Sequence, residues 1–198
     1  QPTTIDDLHR WILYPVVRVR AEGAGGSGVL VYSKPDPKDA NRHINIVLTC
    51  EHVISKSIKI AEEWDPVLKQ DRKRDFFEEV TVELFDYDGS KVVSANATPA
   101  EIIAYDKRHD LAALKLHNPR PQPFVAQIIP ENRIGDLRIG QSVWTSGCSL
   151  LHDPFPNPGT LTYLREVIEQ KTYLMANAPS IFGNSGGGLF HGEWLCLL

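Results

Sequence analysis

The sequence predicts an all-β protein in two halves, and three observations support this. Segments that alternate apolar and polar residues recur, such as residues 16–20 (VVRVR) and 80–85 (VTVELF), and alternation is typical of half-buried strands. Turn-forming residues separate these segments, as at residues 86–89 (DYDG). Residues 119–132 contain four prolines. Proline fixes the backbone and removes a donor, which suits a connection between halves.

Length and composition narrow the classes of protein. The chain has 198 residues, of which 42% are hydrophobic and 23% charged; these are ordinary globular values that argue against disordered and collagen-like chains. A net charge of -4 disfavours a dedicated nucleic-acid binder, which is usually basic. No apolar run approaches the roughly 20 residues of a membrane helix. We therefore expect a globular domain with neither a nucleic-acid partner nor a membrane segment.

The three cysteines, Cys50, Cys148 and Cys196, are an odd number and form no C-x-x-C pair. This pattern fits neither a zinc site nor the disulfide framework of a secreted domain. We expect no metal and no cofactor. The sequence does not identify the cellular compartment, although this cysteine usage favours a reducing or disulfide-independent one.

A glycine-rich segment near the end of the chain carries the strongest chemical signal. Residues 183–189 read GNSGGGL, and glycines on both sides of a serine allow a tight turn with amides close to a bound carbonyl. Ser185 is a candidate nucleophile, and the amides of Gly183 and Ser185 are candidate oxyanion donors. Alone, the pattern is more typical of a turn between strands, so a histidine and an acid must come from elsewhere.

Two upstream segments supply them. An apolar strand at residues 46–51 leads into His52, and Asp110 precedes another at residues 111–116. Together, residues 48–53 (LTCEHV), 110–114 (DLAAL) and 183–187 (GNSGG) resemble the three motifs of trypsin-like serine peptidases, in that family's order. Residues 26–29 (GSGV) and 134–147 resemble its HtrA/Deg branch.

The resemblance implies the trypsin-like fold of two antiparallel six-stranded-type β-barrels. Residues 1–14 would be an N-terminal extension, 15–118 the first barrel with His52 and Asp110, 119–132 the linker, and 133–198 the second barrel with Ser185. Family members continue beyond the strand at residues 192–198. The resemblance therefore implies an incomplete second barrel, with the rest supplied by a longer chain, a second copy or another partner.

The function implied is that of a serine endopeptidase acting on polypeptides through an acyl-enzyme. His52 would be the general base, Asp110 would orient its ring, and Ser185 would attack. A catalytically silent protease-like domain that binds peptides or partners is the alternative. A weaker one is a cysteine-dependent enzyme that uses Cys50.

The same resemblance locates a substrate-binding segment. Pro179, six residues before the nucleophile, would lie at the floor of the primary specificity pocket, with Ser180, Ile181 and Phe182 beside it. The segment has no Asp or Glu, and a buried unpaired cation is costly. We expect a neutral, aliphatic or small side chain before the cut.

Two further segments have weaker signals. Ile5, Leu8, Trp11 and Ile12 recur at helical spacing in the extension, with Thr4 or Asp6 as a cap. Residues 61–79 are dense in charge and are interpreted as an inserted surface loop.

Overall fold

The structure is a computed structural model that describes Pro2 and residues 4–197. Gln1 and Thr3 of the predicted extension, and Leu198 at the end of the predicted second barrel, lie outside the described residues. Strands dominate the described part, which confirms the all-β class.

Eight strands lie in the described part of the first half of the chain. They are β1 (Val16–Ala21), β2 (Ala24–Asp36), β3 (Asp39–Thr49), β4 (Ile58–Asp65), β5 (Gln70–Phe77), β6 (Val80–Asp88), β7 (Lys91–Asp106) and β8 (Leu111–Leu116). Six of these close into an antiparallel barrel in the order β1-β2-β3-β8-β7-β6, whereas β4 and β5 pair only with each other. The segment interpreted as a surface loop is therefore largely an ordered two-stranded ribbon.

The barrel core follows from the alternation seen in the sequence. In β6, Val80 and Val82 are buried while Thr81 and Glu83 are only half-buried, because successive side chains of a strand point to opposite faces. The inward residues join Val19, Val47 and others in one apolar cluster. Pairing of β1 with β6 closes the barrel and sets Arg18 opposite Glu83.

The second half contains six strands. They are β9 (Gln127–Ile128), β10 (Ser142–Gly147), β11 (Phe155–Ile168), β12 (Lys171–Ala176), β13 (Gly188–His191) and β14 (Trp194–Leu197). These form one sheet in the order β12-β11-β10-β13-β14-β9 that does not close among the described residues. The short β9 lies inside the stretch predicted as the linker and runs parallel to β14, an exception to the expected antiparallel pairing. The architecture confirms the trypsin-like fold.

Short helical segments connect the strands. They are α1 (Ile5–Leu8), a π-helical turn (His9–Leu13), α2 (Glu51–Ile54), α3 (Glu131–Ile134) and two 3₁₀ turns (Ser55–Ser57 and Ser149–Leu151). No helix in the described part of the chain has both the length and the apolar character needed to span a membrane.

The N-terminal segment packs between the two halves. The Thr4 hydroxyl accepts from the Asp7 amide, and the Asp7 carboxylate accepts from the Thr4 amide, a capping box that starts α1. Ile12 is fully buried, and its apolar cluster includes Val29 of β2 and Phe190 of β13. The segment therefore helps to hold the barrel against the open sheet.

This packing predicts unequal effects of two isoleucine truncations in one segment. Ile12→Ala should lower the free energy of unfolding by about 2–5 kcal/mol, because it leaves a cavity in a fully buried cluster. Ile5, which is 66% exposed, provides the matched control, and Ile5→Ala should change stability by less than about 0.5 kcal/mol. Urea unfolding of both variants measures the difference, and equal losses would contradict this role of the N-terminal segment.

Candidate active site

His52 and Asp110 are brought together by two neighbouring strands. β3 ends just before α2, which carries His52, and β8 begins just after Asp110. The two strands pair so that Thr49 lies opposite Ala112. The His52 amide donates to Asp110 Oδ1 at 2.8 Å, and His52 Nδ1 lies 2.7 Å from Asp110 Oδ2.

This two-point contact fixes the imidazole ring. A carboxylate can only accept, so in the neutral imidazole Nδ1 carries the proton and Nε2 keeps its lone pair. Asp110 has a φ of 55°, a left-handed conformation that aspartate tolerates better than most residues. The two side chains are about half exposed, at 54% and 46%, so Nε2 belongs to an accessible base.

Ser185 lies in the second of two consecutive turns. The Asn184 amide donates to Ile181 O at 3.1 Å, and the Gly187 amide donates to Asn184 O at 2.7 Å. Gly183 and Gly186 occupy the third positions with φ of 93° and 84°, as type II turns require. The Ser185 hydroxyl makes no hydrogen bond with any described residue, His52 included.

The turn that carries Ser185 passes too close to the first barrel for a side chain at position 186, which is Gly186. A Cβ there would lie 2.1 Å from Ser27 O and 2.4 Å from Thr49 Oγ1. Thr49 and Cys50 immediately precede the helix that carries His52. This contact therefore brings the Ser185 turn to the end of the strand that delivers the histidine.

Ser27 of β2 ties these parts together. Its amide donates to Ser185 O at 2.7 Å, and its hydroxyl donates to Gly183 O at 2.6 Å. The hydroxyl also accepts from the Cys148 amide at 2.7 Å, while Ser27 O accepts from Thr49 Oγ1 at 2.7 Å. A single buried residue thus satisfies groups from both halves of the molecule.

The hydrogen bonds of the Phe182 and Asn184 carbonyls determine the orientations of the next amides along the chain, those of Gly183 and Ser185. Phe182 O accepts from the Leu150 amide at 2.6 Å, and Asn184 O accepts from the Gly187 amide. In a trans peptide the N–H points opposite to the C=O, so the amides of Gly183 and Ser185 face away from these partners. Neither amide has an acceptor among the described residues, so both are available to a developing oxyanion.

The turn at Ser149–Leu151 supports this arrangement and is itself strained. Leu150 and Leu151 have φ of 52° and 59°, a region that costs non-glycine residues roughly 1–3 kcal/mol each. The Ser149 hydroxyl donates to Asn184 Oδ1 at 2.7 Å. The partner of Asn184 Oδ1 therefore comes from this turn, whereas Asn184 Nδ2 donates to Ser180 Oγ at 3.4 Å.

A cavity of about 320 Å³ opens beside Ser185. Of the predicted substrate-binding residues, Ser180 and Ile181 line it, whereas Pro179 and Phe182 do not. The Pro179 carbonyl instead accepts from Thr145 Oγ1 at 3.0 Å, and the Phe182 side chain is 89% exposed. The remaining lining is uncharged: Cys50, Thr145, Ser146, Ala176, Ala178, Asn184, Gly186, Gly187, Gly188 and Leu189.

Sequence reasoning missed several of these residues. Thr145 lies in β10, far from Ser185 along the chain, whereas Ala176 ends β12 shortly before Ser185. Nothing in the local sequence of either residue marks a cavity. Ser27 had a weak signal, since two glycines flank it, but its segment indicated only a resemblance to the HtrA/Deg branch. The sequence carries no signal for Leu150, because a positive φ is not expected for a leucine.

Cys50 lies beside the His52–Asp110 pair. One ligand atom from each of these three residues lies within 4.8 Å of the other two, a set that could in principle hold a metal ion. Burial, and to a lesser extent the charge of Asp110, raise the pKa of the Cys50 thiol to about 11. A metal needs the thiolate, whereas this environment keeps the thiol protonated at neutral pH.

This pKa predicts slow alkylation of Cys50. Because the thiolate is the reactive form, iodoacetamide at pH 7.5 should modify Cys50 on the order of 100-fold more slowly than a free cysteine. The rate should rise with pH towards 11, and peptide mass spectrometry can follow it residue by residue. The urea-unfolded chain is the control. Rapid modification of the folded protein at pH 7.5 would contradict a protonated, buried thiol.

Two solved structures are similar to this chain in fold. The chain is 21% identical to Deg5 in its crystal structure, with a TM-score of 0.67 over 96% of this chain and 80% of that one. It is 22% identical to the serine endoprotease from Yersinia pestis, with a TM-score of 0.64 over 98% of this chain and 56% of that one. At these identities the likeness is one of fold. No curated protein matches.

A family model described as a trypsin-like peptidase domain matches residues 26–197. The matched region contains both barrel segments that deliver His52 and Asp110, and the turn that carries Ser185. The resemblance seen in the sequence is thereby confirmed: the chain belongs to the trypsin-like peptidase family.

Proposed function

We propose that the protein is a serine endopeptidase that uses His52, Asp110 and Ser185. The observation that carries the proposal is the doubly hydrogen-bonded His52–Asp110 pair, together with a Ser185 turn whose two amides lack acceptors. Family membership supports the coarser statement, a serine peptidase. The roles of the individual residues are our inference from the geometry.

The proposed reaction is acyl transfer in two steps. His52 Nε2 takes the Ser185 proton as Oγ bonds to the peptide carbonyl carbon, and the amides of Gly183 and Ser185 stabilise the oxyanion. The C–N bond then breaks, and the leaving amine takes the proton from His52. Water, deprotonated by the same base, then bonds to the acyl carbon, the bond from that carbon to Ser185 Oγ breaks, and His52 returns the proton to Ser185 Oγ. Asp110 keeps the proton on Nδ1 and stabilises the imidazolium.

The Ser185 hydroxyl must turn towards Nε2 for this reaction. Catalytic hydrogen bonds are often long or absent without substrate and tighten in the Michaelis complex, and a serine χ1 rotation is a small change. The same unbonded hydroxyl is the observation that favours the alternative, a silent protease-like domain that binds peptides.

The cavity supports a neutral specificity. Its lining has no charged side chain, and Ile181, Ala176, Ala178 and Leu189 give it an apolar part. A Lys or Arg side chain would be desolvated there without a counter-charge. We propose cleavage after small or aliphatic residues.

Labelling by a fluorophosphonate probe separates the enzyme from the silent domain. The probe should modify the native protein at Ser185, and labelling should vanish in Ser185→Ala. His52→Ala should abolish turnover of a peptide substrate, and Asp110→Asn should lower kcat on the order of 10⁴-fold through the wrong tautomer.

A second histidine–aspartate pair provides the matched control. His109 Nδ1 lies 2.5 Å from Asp106 Oδ2 at the surface, so His109→Ala removes a similar pair that we do not place in the site. The fluorophosphonate probe should label the His109→Ala variant as it labels the native protein. A folded native chain that resists the probe and cleaves no peptide would favour the silent domain.

The neutral specificity can be tested by adding a charge. A peptide library should be cleaved mainly after aliphatic or small residues, and Ser180→Asp should shift cleavage towards Lys and Arg because it places a carboxylate in the cavity. Phe182→Asp adds the same charge two residues away, outside the lining, and should shift specificity much less. Native cleavage mainly after Arg or Lys would contradict the proposal.

A further inference from the structure

Arg18 in the first barrel reaches across to the strained turn of the second half. It is buried, with its side chain 11% exposed. Its Nε donates to Glu83 Oε2 on the facing strand, and its guanidinium lies over the Phe85 ring, 5.1 Å from the centroid. The Nη1 atom of the same guanidinium donates to the Leu151 carbonyl in the second half, at 2.9 Å.

That carbonyl belongs to the turn in which Leu150 and Leu151 both have positive φ. Such backbone persists only where its surroundings hold it. Inside the turn, the Leu151 amide donates to Cys148 O at 2.8 Å. From outside, the turn is also bound through the Ser149 hydroxyl and the Leu150 amide. Arg18 supplies a further outside contact, and its planar fork can bond Glu83 and Leu151 at the same time. Asp153 Oδ1 lies 3.7 Å from Arg18 Nη1.

The same turn sets the direction of one candidate oxyanion donor. The Leu150 amide donates to Phe182 O at 2.6 Å, and this bond fixes the peptide plane that carries the Gly183 N–H. If the turn relaxed, the Phe182 carbonyl would lose its donor. The Phe182–Gly183 peptide could then rotate and carry the Gly183 amide away from the position it now holds.

We propose that Arg18 is a positioning residue for the oxyanion donor Gly183. The connection runs from Glu83 through Arg18 to the Leu151 carbonyl, and from the Leu150 amide through the Phe182 carbonyl to the Gly183 amide. The inference rests on the proposed function, since it concerns the same site. Arg18 touches no reacting atom and acts only through this turn.

The chain offers a matched control in Arg20. Its Nε donates to the other oxygen of Glu83 at 2.9 Å, so it shares the ion pair but makes no hydrogen bond or ion pair with the turn among the described residues. Arg18→Gln and Arg20→Gln each remove one guanidinium from Glu83. Arg18→Lys keeps a buried cation beside Glu83 but lacks the fork, which keeps the test valid should Arg18→Gln fail to fold.

Two measurements test the proposal. Hydrogen exchange by NMR reports on the Leu150 amide directly, whether or not the protein turns over. Steady-state kinetics and the affinity for a peptide boronic acid, which forms a tetrahedral adduct, report on the oxyanion site. Arg18→Gln should speed Leu150 exchange at least 10-fold. It should also lower kcat and boronic acid affinity by on the order of 10–100-fold, less than complete loss of a donor.

A merely structural role predicts a different pattern. Reduced stability alone would not alter kcat of the folded fraction, whereas positioning lowers kcat with KM within about threefold. Arg18→Lys should share the defects of Arg18→Gln, and Arg20→Gln should show neither. Unchanged Leu150 exchange in the Arg18 variants would overturn the proposal, as would faster exchange with unchanged kcat and boronic acid affinity.

Failure of the proposed function would look different. The native protein would then show no Ser185-dependent fluorophosphonate labelling. Hydrogen exchange of the Leu150 amide in the Arg18 variants would still show whether Arg18 stabilises the turn.

Discussion

The site depends on the hydrogen bonds of Ser27, a residue with no exposed surface. Its amide and hydroxyl bind the carbonyls of Ser185 and Gly183, and its own carbonyl is held by Thr49. A buried polar group left without a partner costs about 1–3 kcal/mol. Separating the turn that carries Ser185 from the barrel would break several hydrogen bonds of Ser27 together. The two halves are therefore held in one relative position at this point.

Under the proposed function, this constraint would let the two halves divide the chemistry. The closed barrel carries the proposed base and the acid, because the ends of β3 and β8 lie side by side and bring His52 to Asp110. The open sheet carries the proposed nucleophile and the two candidate oxyanion amides in consecutive turns. Every carbonyl from Phe182 to Ser185 is bound by a partner, so the amide directions are set by hydrogen bonds already made, which is the preorganisation that oxyanion stabilisation requires.

Local signals in the sequence were enough for β1, β3, β6 and β8 of the first barrel and for the segments of His52, Asp110 and Ser185. Alternation marked β6, and the glycines around Ser185 marked its turn. The ribbon of β4 and β5 was missed because its charged residues do not alternate with apolar ones, and its stability comes from cross-strand pairing. The parallel pairing of β9 depends on β14, which lies more than sixty residues later in the chain.

The supporting contacts of the site were harder to predict for a related reason. Arg18 lies in an alternating strand, where an arginine suggests an outward-facing side chain, and its burial depends on Glu83 and on a turn more than a hundred residues away. The strain at Leu150 depends on contacts that only the folded chain provides. Residues that bear the chemistry carried motifs, whereas the residues that orient them did not.

A structure of the protein with a peptide boronic acid would test the central claim most directly. We expect a covalent bond from Ser185 Oγ to boron, with one boronate oxygen about 2.7–3.1 Å from the amides of Gly183 and Ser185 and His52 Nε2 within hydrogen-bonding reach of the adduct. An adduct whose oxygens contact neither amide, or a Gly183 amide that turns away while Leu150 still binds Phe182, would contradict the claim that these backbone contacts build the oxyanion site.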